Sequence, residues 1–148
     1  MPADVEAMAA MAAARRNEYA RYQPVFWRPA SNAEQVQQRY LAKLVSDQDV
    51  IALVSEEGGT LTGFLIATIG TAPPVYDPGG LTCSIDDFAV ISGGWATTGV
   101  CLLRSAIDRA RERGAMQTVV VTAHLDQEKR EALGTCGLSI ASEWWVTS

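Results

Sequence analysis

The chain has 148 residues, enough for one buried core and too few for two, so a single domain over 1–148 is expected. Apolar residues make up 48% and charged residues 20%, which excludes wholesale disorder, and a net charge of -5 removes the electrostatic basis for nonspecific nucleic-acid binding. No apolar run approaches the roughly 20 residues of a membrane span, and the acidic start Met1-Pro2-Ala3-Asp4 lacks the charge of a secretory signal, so a cytoplasmic protein without a membrane partner is expected.

From Asp4, residues Val5, Met8, Ala12, Tyr19, Tyr22 and Phe26 recur at helical spacing and predict one long helix, with Arg15, Arg16 and Glu18 facing water. Pro24 and Pro29 end it around an apolar elbow of Val25, Phe26 and Trp27. A second helix is expected from Ser31, because Ser31-Asn32-Ala33-Glu34 has the capping-box pattern, with Val36, Tyr40, Leu41, Leu44 and Val45 as its stripe. After Asp47 the period becomes extended. Val50 to Val54 and Leu61 to Ile69 predict an antiparallel hairpin about Glu57-Gly58-Gly59.

The segment from Thr71 to Gly80, rich in Pro and Gly, is a long loop. A third strand follows at Cys83 to Ile91. Gly93 to Gly99 is then a small-residue turn running into a helix that buries Leu102, Leu103, Ala106, Ile107 and Ala110 and stops at Gly114. A strand at Gln117 to Thr122, a helix from Asp126 to about Cys136 and a last strand at Leu138 to Val146 complete the prediction. Cys83, Cys101 and Cys136 are odd in number and widely spaced, and read as reduced core thiols. With one histidine, His124, and no cysteine pair at ligand spacing, neither a metal site nor a Ser/His/Asp triad is expected.

A strand ending in a small-residue turn that opens a helix presents free amides at the positive end of the helix dipole. Gly93 to Gly99 therefore suits a phosphate, with simple packing as the alternative. Ile85-Asp86-Asp87-Phe88-Ala89-Val90, Gly99-Val100-Cys101-Leu102-Leu103 with Ala110-Arg111-Glu112-Arg113-Gly114-Ala115, and Lys129-Arg130 through Gly137-Leu138 resemble the fourth strand, third helix and fourth helix of the GNAT superfamily of acyl-CoA-dependent N-acetyltransferases. The resemblance spans the chain from its first helix to its end. It implies an α+β fold with a mostly antiparallel twisted sheet, splayed between the family's fourth and fifth strands and flanked by about four helices, beginning after the family's first strand.

The resemblance also implies acetyl-CoA as acyl donor, its pantetheine on the main chain of Phe88, Ala89 and Val90 and its pyrophosphate on amides around Thr98, Gly99 and Val100. It places Asp86 where a catalytic or water-holding Glu is often found, with Asp87 on the opposite face. Tyr76 and Asp77 on the Pro-rich loop, with Tyr22 and Trp27, are candidates to hold an acceptor amine. Leu133 stands where the family often has a Tyr acid, and Asp126 where it has an Asn. The pyrophosphate loop keeps only Gly99, with Gly94 and Thr97 at two other motif positions and Trp95 without a counterpart.

The expected function is direct transfer of an acetyl group from acetyl-CoA to a primary amine of a small molecule or peptide. The alternatives are a GNAT-like domain without efficient catalysis, serving as a ligand-sensing or protein-interaction module, and a purely structural dimerising domain. Trp144 and Trp145 are adjacent on the last expected strand and must face opposite ways. One of them therefore lies off the core, and a homodimer through the C-terminal strand is expected.

Overall fold

Strand-forming residues after Asp47 assemble a four-stranded sheet, with the helix-forming segments before and after it packed on its two faces. The computed structural model describes residues 2–148, and Met1 lies outside them. A short 3₁₀ turn at Pro2–Asp4 leads into helix α1, Val5–Tyr22, and helix α2 spans Ala33–Val45. Strands β1 (Ile51–Glu57) and β2 (Thr60–Gly70) form the expected hairpin. Its tip places Gly58 and Gly59 at φ 59° and 80°, the paired left-handed conformation that a tight two-residue hairpin demands.

Strand β3, Leu81–Val90, pairs antiparallel with β2. Helix α3, Val100–Glu112, then crosses back so that β4, Ala115–Val120, pairs parallel with β3, giving the order β1-β2-β3-β4. Helix α4, Gln127–Thr135, follows. Leu53, Leu65, Ile85, Leu103 and Leu133 belong to the core under α3 and α4, whereas Met8, Leu41, Phe64, Ile66 and Ala89 belong to the core under α1 and α2.

Each ladder carries one irregularity, at Ser55/Glu56, Ile66/Ala67 and Leu81/Thr82, and two features along β3 shape the site. In the β2–β3 ladder Ile66 faces Asp87 while Ala67 faces Ile85, so Asp86 is an extra, bulged residue. The bulge resets the alternation: Cys83 and Ile85 before it and Phe88 and Val90 after it all reach the α3 side, and Ala89 reaches the α1 side. Secondly, the β3–β4 ladder runs from Leu81 opposite Ala115 to Ile85 opposite Val120, extended by Val121 N donating to Ile85 O at 3.2 Å. Strand β3 continues five residues further, to Val90, and that half has no β4 partner.

Several expectations are corrected. The first helix ends at Tyr22, leaving Phe26 exposed beyond it. The second starts at Ala33, with Asn32 and not Ser31 at its N-cap and no side-chain cap bond, and its entry is a backbone turn in which Ala33 N donates to Ala30 O. Only Leu41 and Leu44 of its stripe are buried, while Val36 and Tyr40 are exposed. Cys101 is exposed and Cys136 half-buried, so Cys83 alone is a buried core thiol. No strand forms at 138–148 in the described chain, since a strand needs a neighbour and none of the sheet's strands pairs with this segment.

Candidate functional site

Helical spacing puts Arg15, Glu18, Tyr19 and Tyr22 on one side of the last two turns of α1. Arg15 Nη1 reaches Glu18 Oε2 at 3.1 Å and Asp126 Oδ2 at 3.2 Å, so two of the residues expected to face water turn inward. Tyr19 Oη donates to the same Asp126 oxygen at 2.6 Å and lies 3.4 Å from Thr122 Oγ1. Tyr22 Oη donates to Glu18 Oε1 at 2.6 Å. Asp126 is itself the N-cap of α4, accepting from Lys129 N at 3.4 Å. One buried carboxylate thereby joins α1 to the start of α4.

Lys129 shares the buried stripe of α4 with Ala132 and Leu133 and is only 2% exposed. Its ammonium donates to Val121 O at 2.9 Å and Phe88 O at 3.5 Å, just beyond the point where the β3–β4 ladder ends. The Phe88 and Trp95 rings each lie 5.5 Å from Nζ, and Arg15 lies 5.3 Å from the Trp95 ring. Burial pushes the Lys129 pKa down to about 8, opposed by the Asp126 charge. Trp95 Nε1 is the one buried side-chain polar atom without a hydrogen-bond partner among the described residues.

The two adjacent aspartates part company at the bulge. Asp86 is exposed to solvent. Asp87 is half-buried and accepts from Gln37 Nε2 at 2.8 Å, and Gln37 Oε1 accepts from Arg16 Nη2 at 2.9 Å. Loss of solvent raises the Asp87 pKa, more than the Gln37 hydrogen bond and the Lys129 charge lower it. A cleft of about 530 Å³ opens between α1, the end of β3 and α4, with Arg15, Glu18, Val90 and Glu128 on its walls.

The turn before α3 takes a wide π-type form over Trp95–Gly99, with Gly99 N donating to Gly94 O at 3.0 Å and Val100 N bonded to Thr97 O and Trp95 O. The amides of Gly99 and Val100, expected to hold a phosphate, are thus spent inside the helix. The amides that a helix start leaves for an anion lie one turn earlier, up to Thr98. Gly99 has a packing reason for being glycine: a Cβ there would lie 2.7 Å from the Trp95 ring.

Of the expected acceptor residues, Tyr22 and Trp27 sit beside the cluster, their rings 5.8 and 5.0 Å from that of Tyr19. Tyr76 and Asp77 do not. They precede Leu81, at the end of β3 away from Asp86–Val90, Tyr76 is 73% exposed, and Asp77 accepts from Gly79 N within its own turn. At about 3.3 Å per residue, the length of β3 separates them from Val90 by roughly 30 Å. His124 is exposed. Asp126, noted in the sequence only as standing at a motif position of the resemblance, joins the site, as do Lys129 and Gln37, which were not expected there. Of these two only Lys129 carried a signal, a charge on the apolar stripe three and four residues before Ala132 and Leu133.

As a fit for acyl-CoA, the half of β3 without a β4 partner offers main-chain groups, among them Phe88 O, which is bonded to Lys129 and not to a strand neighbour, and the unpartnered indole N–H belongs to Trp95, whose ring packs on Phe88. An entering arm must displace the Lys129 ammonium. No group of three or more metal-ligating side chains occurs among the described residues, and no described helix is long and apolar enough to cross a membrane.

No family model matches the sequence, and no curated protein does. Solved structures do match the fold. A mutant of the BH1408 protein from Bacillus halodurans is 14% identical over 100% of this chain and 95% of its own, with a TM-score of 0.83. A transcriptional regulator from the same organism is 20% identical over 100% and 95%, with a TM-score of 0.70. A predicted acetyltransferase with acetyl-CoA, from Clostridium acetobutylicum, is 16% identical over 100% and 92%, with a TM-score of 0.69. At such identities the likeness is one of fold, and the chain has the mixed α+β fold of GNAT-type acetyltransferases.

Proposed function

We propose that the protein moves an acetyl group from acetyl-CoA to a primary amine of a small molecule or peptide, by direct attack of the amine on the thioester. The observation that carries this reading is that β4 ends opposite Ile85 and leaves the Phe88–Val90 half of β3 without a β4 partner, with a bulge at Asp86 where that half begins. In this reading Phe88, Ala89 and Val90 hold the pantetheine arm through main-chain groups. The first-turn amides up to Thr98 hold the pyrophosphate, one turn before Gly99 and Val100. Bound there, the coenzyme supplies an activated acyl group and a thiol leaving group.

The chain's own residues do the rest. Tyr22 and Trp27, packed against Tyr19, give an aromatic wall beside Glu18 that suits a cationic acceptor. Asp87, whose proton affinity is raised by burial, is a better base for the acceptor amine than the exposed Asp86. Leu133 offers no acid, and a thiol with a pKa near about 8.5 leaves without one. The reading is of a cytoplasmic enzyme, and the exposed segment 139–148 supports a homodimer.

The Lys129 ammonium, already bonded to Phe88 O and Val121 O, favours a second reading, a ligand-sensing or protein-binding domain without efficient catalysis. A thermal-shift titration separates the two. Acetyl-CoA at a hundred times its Kd stabilises a binding protein by about 2.7 kcal/mol. A concentration-dependent rise in Tm, with acetylation of an amine in a substrate panel, supports the transferase, and an unmoved Tm transfers the fold to the second reading.

A further inference from the structure

We propose that the groove between α2 and the turn 23–30 is a binding site for a small aromatic carboxylate, which places its anion on Arg16 and Arg28 and its ring among Phe26, Trp27 and Tyr40. The groove holds about 410 Å³, a volume suited to a small molecule, and these five residues line it together with Gln37. The chain has 17 acidic and 12 basic residues, yet the two arginines are the only charged side chains on these walls. Among the described residues neither of them is in an ion pair, whereas the neighbouring Arg15 is paired with Glu18 and Asp126. The groove is thus a cationic place on an acidic molecule.

The guanidinium of Arg16 is positioned before any ligand arrives. Its Nη2 donates to Gln37 Oε1 at 2.9 Å, and Gln37 Nε2 donates to Asp87 Oδ1 at 2.8 Å. Asp87 is therefore bonded to the amide and not to the guanidinium, and Arg16 keeps its charge and further N–H donors for an incoming anion. A carboxylate is planar with two oxygens, the shape that a guanidinium takes edge to edge. Arg28 is exposed on the turn between Trp27 and Pro29, a proline that restricts the backbone there.

The apolar walls suit a flat body. Trp27 is held edge-on by Phe26 at 4.7 Å and by Tyr19 at 5.0 Å, so its indole is fixed by packing on two sides. Phe26 and Tyr40 are exposed large rings with no place in either core of the fold, and a ring entering the groove covers them. Trp27 is also part of the aromatic wall assigned above to the acceptor. The inference concerns binding and not turnover, so it stands or falls apart from the transferase reading.

The test is isothermal titration calorimetry of the full chain with 1-naphthoate, indole-3-acetate and phenylacetate, and with the neutral 1-naphthamide and the phosphate monoester AMP for comparison. The expected result is a Kd below about 1 mM for at least one of the three acids. Binding of that acid should weaken about 10-fold or more in Arg16→Met and in Arg28→Met, and stay unchanged in Lys43→Met, which alters an exposed cation of α2 outside the groove. Circular dichroism checks each fold, and Arg28, exposed on a turn, is the substitution that leaves packing intact. No binding by any of the three acids overturns the proposal, as does 1-naphthamide binding as tightly as 1-naphthoate, or affinity indifferent to both arginines. AMP binding without any of the acids overturns it in favour of a phosphate site. A Tm raised by acetyl-CoA in a chain that binds none of the acids removes this site and leaves the transferase reading in place, while acid binding without an acetyl-CoA shift does the reverse.

Discussion

At the scale of single residues, the buried Lys129 makes stability depend on pH in a direction that can be worked out. Folded, it loses its proton near pH 8, and unfolded near its ordinary 10.5, so between these values the unfolded chain holds more protons and stability rises with pH. Above about pH 10 the tyrosines act the other way. The Glu18 hydrogen bond pushes Tyr22 up to about 12, and burial with the Asp126 hydrogen bond raises Tyr19 further, so there the folded chain keeps protons that the unfolded one loses. Urea midpoints measured from pH 7 to 11 should climb from pH 8 to about 9, above which the Cys83 and Cys136 thiols, raised by burial, and then the tyrosines oppose the climb, and in Lys129→Met the climb should vanish. A decline between pH 8 and 9 in the unsubstituted protein would contradict the burial of this ammonium. The paired aspartates give a second contrast. Asp87→Asn should lower turnover of any active amine by about 10²-fold, while Asp86→Asn, altering an exposed bulge residue, should leave most of it. The reverse ranking in steady-state kinetics would return the base to Asp86.

At the scale of elements, the turn into α3 is built around an indole. Gly99→Ala places a methyl group 2.7 Å from the Trp95 ring, a clash with a fully buried side chain, and should cost about 1–3 kcal/mol of stability. Gly134 in α4 has open space where its Cβ would go, so Gly134→Ala should gain up to about 1 kcal/mol. Thermal melts of the two variants read these opposite signs, and a neutral Gly99→Ala would deny the packing role. The same elements show what a sequence discloses. Period and punctuation announced the hairpin at Gly58-Gly59, the stop at Gly114 and the crossover into β4, because each is decided by neighbours in the chain. Asp86-Asp87, two polar residues between buried Ile85 and Phe88, are the local mark of the bulge. Arg15 gave no such mark. Its inward turn depends on Asp126, 111 residues away, and its charge predicts solvent until that partner is known. The capping box failed at Ser31 because the helix begins one residue later, with Asn32 at its N-cap after a backbone turn from Ala30, and the pattern alone does not fix that register.

At the scale of the whole molecule, the sheet has two edge strands that differ in charge. Strand β1 carries Glu56 and Glu57, which discourage pairing with another chain, whereas β4 from Ala115 to Val120 carries no charge and exposes Met116 and Val119. The same chain holds the segment 139–148, exposed throughout, within the stretch where a strand was expected, with one charged side chain at Glu143 and no strand partner of its own. Its tryptophans are 83% and 90% exposed, and only Trp144 has a ring contact, 6.2 Å from Phe26. A bare edge and an unpaired segment satisfy one another if two copies exchange segments, which buries the indoles and closes the assembly as a symmetric dimer. Sedimentation equilibrium at micromolar concentration should therefore find a dimer. Replacing both tryptophans, Trp144→Ser with Trp145→Ser, should give a monomer whose far-ultraviolet circular dichroism is unchanged, because neither indole belongs to the core of one chain. A charge placed on the other partner, Val119→Lys, should break the dimer equally, since it meets the incoming strand at the exposed edge. A wild-type monomer, or a dimer indifferent to both changes, would remove this edge from the assembly.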